Sequence, residues 1–191
     1  TNVCVGFLTT DSSTSISDPN YPNISGTIDQ WDWTFGDGVT FVGDREGDHT
    51  YLTYGSFDVH LIVTSDKGCE GEITHQAIVY PLPNPVFTAD NFCEGDITLF
   101  FENSNITSGN IIAWNWNFGD GLGVANYNNP SYTYQNVGTY TVSLTLLSDK
   151  LCESIITNNI TISPLPNVDI YAMEKACVGE EIKLIDLSLV E

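Results

Sequence analysis

Trp114-Asn115-Trp116-Asn117-Phe118-Gly119-Asp120-Gly121 has a near copy in this chain of 191 residues. The other copy, 83 residues earlier, is Trp31-Asp32-Trp33-Thr34-Phe35-Gly36-Asp37-Gly38. Large aromatic residues alternate with polar ones, the period of a strand with one buried face. The Gly-Asp-Gly that follows supplies the backbone freedom of a tight turn, so each copy predicts a strand ended by a turn. A fixed spacing between copies signals repeated modules.

Sliding the chain on itself by 83 residues aligns more than the aromatic strand. Cys69 falls on Cys152, Ser65-Asp66-Lys67 on Ser148-Asp149-Lys150, and Pro81-Leu82-Pro83-Asn84 on Pro164-Leu165-Pro166-Asn167. A third landmark occurs three times, as Cys4-Val5-Gly6, Cys93-Glu94-Gly95 and Cys177-Val178-Gly179. Cys4 precedes its tryptophan by 27 residues and Cys93 by 21, which places a longer loop of the first copy within residues 12–27. Two prolines flanking one residue make a short, stiff, extended joint. The repeats are therefore set at 1–83 and 84–166, with 167–191 the opening of a truncated third. The abrupt start and finish are taken as those of a piece of something longer.

In the second repeat, strands are predicted at 86–89, 97–101, 112–118, 140–146 and 156–162, with one for the third repeat at 184–188. Ile112, Trp114, Trp116 and Phe118 are expected on one face, and so are Tyr140, Val142, Leu144 and Leu146. Ile156, Ile160 and Ile162 are placed on the inner face of the last strand. No stretch keeps a helical period. Short alternating strands with Gly, Asn and Pro turns, one module per 83 residues, predict an all-β chain of tandem β-sandwiches.

Composition narrows the function. Hydrophobic residues make up 41%, enough for a core, while 25 acidic residues against five basic ones give a formal net charge of -20. Nucleic acid is excluded as a partner, because its binding rests on phosphate neutralisation by Lys and Arg. Anionic membrane surfaces are disfavoured for the same reason. No apolar run approaches the ~20 residues of a spanning helix, so this segment is not expected to insert in a membrane. No signal peptide is seen.

The motif Trp116-Asn117-Phe118-Gly119-Asp120-Gly121, followed by Tyr132, Tyr134 and Gly138-Thr139-Tyr140-Thr141-Val142-Ser143-Leu144, resembles the PKD (polycystic kidney disease) domain. Repeat one supplies Trp33-Thr34-Phe35-Gly36-Asp37-Gly38, His49-Thr50-Tyr51 and Gly55-Ser56-Phe57-Asp58-Val59. The resemblance implies immunoglobulin-like sandwiches arranged head to tail, outside the cell or on its surface. It further implies a role in spacing and adhesion, as in adhesins and gliding filaments, rather than in catalysis. Many family members carry Asp directly after the motif tryptophan, where this chain has Thr34 and Asn117. Calcium takes six to eight oxygen ligands, and one Asp per turn supplies too few. Asp37 and Asp120 therefore stand as turn acceptors or as calcium ligands; no other cofactor is expected.

Regular recurrence in an extracellular-looking array favours disulfides for the five cysteines. In a sandwich, the early cysteine lies where the first two strands turn and the late one at the opposite end. A strand length of roughly 17–20 Å separates the ends, whereas a disulfide needs Cα atoms within about 7 Å. That favours Cys4 with Cys152 between repeats, with Cys69, Cys93 and Cys177 bonding to neighbouring repeats. Pairing within each repeat, Cys4 with Cys69 and Cys93 with Cys152, and free thiols are the alternatives.

Trp33, Phe35, Trp116 and Phe118 are expected in the core. Trp31 and Trp114, at the strand's start, are candidate interface residues for a glycan or protein ligand. His49, His60 and His75 have no counterpart in repeat two and are assigned to surface or strand positions. Asn23, Asn105 and Asn159 begin Asn-x-Ser/Thr triplets of the kind that chance supplies in an Asn-rich chain. No nucleophile triad or phosphate loop is present. The expected function is a stiff stalk or surface filament, with self-association into fibres as a further arrangement. The competing expectation is an accessory carbohydrate- or protein-binding module of a secreted enzyme.

Overall fold

A computed structural model describes residues 2–5, 8–12, 27–43, 45–172, 175, 177–179 and 181–190. Every helix or strand among them is a β-strand. Contacts divide the chain into two compact units. The first is Thr1–Asn84 with Ile106–Ile112 and Leu147–Glu153; the second is Pro85–Asn105, Ala113–Leu146 and Ser154–Glu191. The architecture is all-β, with immunoglobulin-like sandwiches in tandem.

The first repeat contributes β1 (Asn2–Cys4), β2 (Leu8–Ser12), β3 (Ile28–Thr34), β4 (Thr40–Val42), β5 (Glu46–Thr50), β6 (Gly55–Ser65) and β7 (Glu70–Tyr80). One sheet has the order β1-β7-β6-β3-β4 and the other pairs β2 with β5. β1 runs parallel to β7, with Cys4 opposite Tyr80, while the other pairings are antiparallel. Alternation along β3, β6 and β7 turns Trp33, Val59, Leu61, Ala77 and Val79 inward, where they form one cluster with Phe35 and Tyr51. Trp33 lies flat against Gly47 of β5, and a Cβ added there would sit 2.8 Å from its ring. A side chain at position 47 would hold the two sheets apart.

The second repeat contributes β8 (Phe87–Asp90), β9 (Ile97–Glu102), β10 (Ile111–Asn117), β11 (Val124–Ala125), β12 (Ser131–Thr133), β13 (Gly138–Ser148) and β14 (Glu153–Ile162). These form sheets of order β11-β10-β13-β14 and β12-β9-β8. Val142, Leu144 and Leu146 of β13 are fully buried, as are Trp116 and, within about 1%, Phe100, Phe118 and Tyr134. Thr98 is buried too, and its hydroxyl donates to the Asn91 carbonyl at 2.9 Å, which removes the cost of an unpaired polar group. Beyond it, β15 (Ile170–Ala172) pairs antiparallel with β16 (Leu184–Asp186), and both strands are exposed along their length.

Several expectations shift. Ile112 does not share the buried face: it is 53% exposed, and Trp114 is half-buried. The sheet facing β10 has strands of only three to six residues against eleven in β13, so the far end of β10 has little to cover it. The first strand of repeat two starts at Phe87 because the Val86 amide is taken by Ser104 Oγ at 2.9 Å. β10 stops at Asn117 because the Phe118 amide already bonds across the turn to the Gly123 carbonyl. The strand expected at 184–188 ends at Asp186. Most of the longer loop expected within 12–27, and Asn23 with it, lies outside the described residues.

Candidate functional site

The two Gly-Asp-Gly turns are built alike. In repeat two, Asp120 Oδ1 accepts the amides of Leu122 and Gly123, both at 2.9 Å, and Oδ2 accepts the Tyr132 hydroxyl. Asn117 Oδ1 accepts the Gly119 amide at 2.9 Å. In repeat one, Asp37 Oδ1 accepts the Val39 amide at 3.1 Å and Oδ2 lies 2.6 Å from His49 Nε2. The glycine preceding each aspartate has positive φ, +81° at Gly36 and +83° at Gly119. A Cβ on Gly36 would come within 2.8 Å of the Asp58 backbone, and Gly119 is as tightly placed against Thr141. Each turn is thus locked onto the neighbouring long strand, which only glycine permits.

Behind each turn runs a ladder of rings. Phe118 stacks on Tyr132 with centroids 4.3 Å apart; Tyr132 meets Tyr134 edge-on at 5.0 Å, and Tyr134 stacks on Tyr140 at 4.3 Å. Repeat one repeats the ladder with Phe35, His49, Tyr51 and Phe57 at 4.4 to 4.5 Å. The buried tyrosines Tyr51 and Tyr134 donate their hydroxyls to the carbonyls of Phe35 and Phe118, at 2.9 and 3.0 Å. Such a bond pins the chain that enters the next long strand to the end of the aromatic one, as a tyrosine corner does. His49 holds a strand position, in β5, as expected, but is largely buried there rather than on the surface. It is a rung of this ladder with a side chain only 10% exposed, standing where Tyr132 stands in the other module. The signal was its alignment with Tyr132, a ring for a ring. His60 faces Glu72 across β6 and β7 at 3.2 Å, and His75 is exposed.

Burial pushes the Asp120 carboxyl up, but the Tyr132 hydroxyl and the turn amides outweigh it and hold it below the usual carboxylate range. Asp37 is likewise held low: burial opposes, and the Val39 amide and His49 prevail. The hydrogen bond to Asp120 pushes the Tyr132 phenol up to about 12, so it remains a donor. A depressed folded-state pKa stabilises above the unfolded value, and that stabilisation is lost as pH falls through the folded one. Melting temperature is therefore expected to fall on acidification below about pH 4, and less steeply in Asp120→Asn than in the parent. Equal acid slopes in a calorimetric pH series would count against this role for the carboxylate.

The cysteines form the second candidate. Cys4 and Cys152 are bonded, with Cα atoms 5.5 Å apart, across a sequence separation of 148 residues. The bond joins the opening of repeat one to the β13–β14 hairpin of repeat two, so the within-repeat alternatives, which need Cys4 or Cys152, do not occur here. Cys152 is fully buried, and Lys150 of the same hairpin sits over the Tyr80 ring, 5.8 Å from its centroid. Cys69 is an exposed thiol and Cys93 a half-buried one; Cys177 is exposed.

Trp33, Phe35, Trp116 and Phe118 all lie in the core. Trp31 and Trp114 are half-buried, and the indole N–H of each is shielded from solvent with no acceptor. Among the described residues, no group of three or more His, Cys, Asp or Glu side chains is placed to hold a metal ion. None of their helices is long and apolar enough to cross a membrane, since none is helical at all.

Comparison with known proteins completes the site. The family model described as the PKD domain matches residues 9–79 and again 79–162. Among solved structures, the PKD1 domain of Vibrio anguillarum Epp is 28% identical, covering 42% of this chain and 93% of that one, at a TM-score of 0.40. The PKD1 domain of the Vibrio cholerae metalloprotease PrtV is 27% identical, covering 42% and 96%, at 0.39. A structure of carbohydrate-binding modules from the β-sandwich superfamily is 21% identical, covering 54% and 52%, at 0.41.

Proposed function

The chain belongs to the PKD-domain family, and from that premise we propose that it is a non-catalytic spacer, a stretch of an extracellular stalk or surface filament. The observation that carries the reading is the bond between Cys4 and Cys152. Two modules joined only by Pro81-Leu82-Pro83 have one covalent connection; the disulfide is a second, and two connections restrict the hinging that one allows. Restraint of that kind suits a load-bearing spacer, whose modules must hold their alignment. Structural disulfides persist in oxidising compartments, which supports a location outside the cell or on its surface. The net charge of -20 keeps such an array soluble.

We set the modules at 1–83 and 84–166 and the start of a third at 167–191. Asp37 and Asp120 serve the turns, since their oxygens already accept backbone and ring donors. A native-state ligand adds RT ln(1 + [L]/Kd) to stability and so raises the melting temperature; with both carboxylates engaged in the turns, calcium and chelator are expected to leave it unchanged. A rise with calcium that Asp37→Asn or Asp120→Asn removes would make these carboxylates ligands.

Small-angle scattering of the oxidised and reduced chain tests the spacer reading. Reduction is expected to broaden the distribution of intramolecular distances while near-ultraviolet circular dichroism keeps the signal of both cores. An unchanged distribution would sink it. So would saturable binding to a glycan or protein array that is lost on Trp31→Ala and Trp114→Ala, the result that favours the accessory module.

A further inference from the structure

A strand at the edge of a sheet leaves a row of backbone donors and acceptors unpaired, which makes it a template for another strand. β14 is such an edge. It bonds to β13 on one side, and on the other it is met only just past its end. There the Ser163 amide donates to the Phe92 carbonyl at 2.8 Å, and the Glu94 amide donates to the Ser163 carbonyl at 2.9 Å. Backbone directions alternate along a strand, so Thr161, Asn159, Thr157 and Ile155 aim their amides and carbonyls the way Ser163 does. Among the described residues, no strand lies along that part of the edge.

The side chains suit an incoming strand. β14 reads Glu153-Ser154-Ile155-Ile156-Thr157-Asn158-Asn159-Ile160-Thr161-Ile162, rich in β-branched residues and without a charge after Glu153. Ile155 is 62% exposed, and Thr157 and Asn159 are exposed beside it. Edges of this kind are ordinarily guarded by charge, and the matching edge of the first module is. Where β14 carries Ile155 and Asn158, β7 carries Glu72 and His75. In a chain of net charge -20, a strip without charge is what the close approach of an equally acidic strand requires.

We propose that β14 pairs edge to edge and antiparallel with β14 of a second copy of this chain, about a two-fold axis at Ile156. The occupant is a second copy because the strand is complementary to itself, as a two-fold contact demands. In this register Ile156 meets Ile156 of the second copy on the inner face, and Ile155 meets Thr157 of the second copy on the outer one. Ser154 meets Asn158 of the second copy, and the Glu153 carboxylate falls opposite the amide of Asn159 of the second copy. Centring on Thr157 would set Ile155 and Ile156 opposite asparagines. Centring on Asn158 would drive Glu153 of the second copy against Ser163, where Phe92 and Glu94 already sit. The same pairing of β7 about Ile73 would bring Glu72 diagonal to Glu72 of the second copy, about 7–8 Å away, which disfavours that edge.

One shared edge is small against the about 1,200–2,000 Å² of a stable interface, so the pair is weak and reversible. The proposal rests on the spacer reading and gives the spacer a lateral partner of its own kind.

The test uses the full oxidised chain with its free thiols alkylated, in sedimentation equilibrium from about 10 μM to about 1 mM. A monomer–dimer equilibrium is expected. It should tighten several-fold as salt rises from about 50 to about 500 mM, because salt screens the repulsion between two acidic copies. Ile155→Glu, which installs the residue of the first module, should weaken the dimer about tenfold, since each dimer gains two carboxylates on the seam. Thr157→Pro removes an outward amide and none bonded to β13, and should do the same. Near-ultraviolet circular dichroism checks that both variants stay folded. Mixing Ile155→Glu chains with Thr157→Lys chains should restore the dimer, because the register sets positions 155 and 157 opposite each other.

A monomer at every concentration would overturn the proposal, as would a dimer indifferent to Ile155→Glu. So would a dimer that Leu99→Thr abolishes instead, which would place the contact on the exposed Ile97, Leu99 and Phe101 of β9. None of these outcomes alters the broadening on reduction, read in dilute solution, so this proposal and the spacer reading fail separately.

Discussion

Replacing Cys4 and Cys152 together by alanine is expected to cost about 3–5 kcal/mol, the range for losing a disulfide that closes a long loop. The crosslink spans 148 residues of sequence, so it removes a large share of the unfolded chain's freedom. Urea denaturation followed by tryptophan fluorescence reads the loss as a lower midpoint in the double variant. A reductant should bring the parent to the same midpoint and leave the variant unmoved. The loss should fall mainly on the transition of the first unit, which holds both cysteines. A change below about 1 kcal/mol would mean that the unfolded chain is already restrained in some other way.

Trp116→Ala is expected to cost at least about 3–5 kcal/mol, the range for removing a large buried aromatic. Trp116 is wholly buried, with Phe87 edge-on at 5.0 Å, Phe100 at 5.5 Å and Phe118 stacked at 6.4 Å. Its indole N–H also donates to the Tyr127 carbonyl at 3.0 Å, so truncation leaves a cavity and an unpaired carbonyl together. Thermal unfolding should split, with the second module melting first and the Cys4–Cys152 end of the first persisting. A loss under about 2 kcal/mol would mean that the three phenylalanines close over the space, against the rigidity expected of a packed core.

The sandwich, the repeat and the core residues were legible because each rests on local pattern: aromatic alternation, a Gly-Asp-Gly turn, a fixed spacing. Trp33, Phe35, Trp116 and Phe118 are buried for the reason their alternation suggests. Ile112 shows the limit. Its place in the same alternation is right, but burial depends on whether another strand lies opposite, and that is set by the lengths of β8, β9 and β12. His49 shows a second limit. Taken singly it is an unremarkable polar residue, and only the stack on Phe35, which needs two strands folded together, makes it part of the core. The turn amides that Asp37 and Asp120 accept were expected, but their ring partners were hidden likewise, because His49 and Tyr132 lie twelve residues along the chain.

The parallel pairing of β1 with β7 has a mechanical consequence. The chain enters the module at the start of β1 and leaves it at the end of β7, and since the two strands point the same way, these are opposite ends of the paired segment. Tension applied along the polypeptide slides the strands past each other and loads the rungs at Asn2–Ile78, Val3–Val79 and Cys4–Tyr80 together. An antiparallel hairpin pulled from its two free ends opens one rung at a time. Cys93 repeats the parallel arrangement against Ser163 in the second module. The weakest direction of these sheets is thus turned away from the line of pull, and the cysteine stands where the sliding begins to matter.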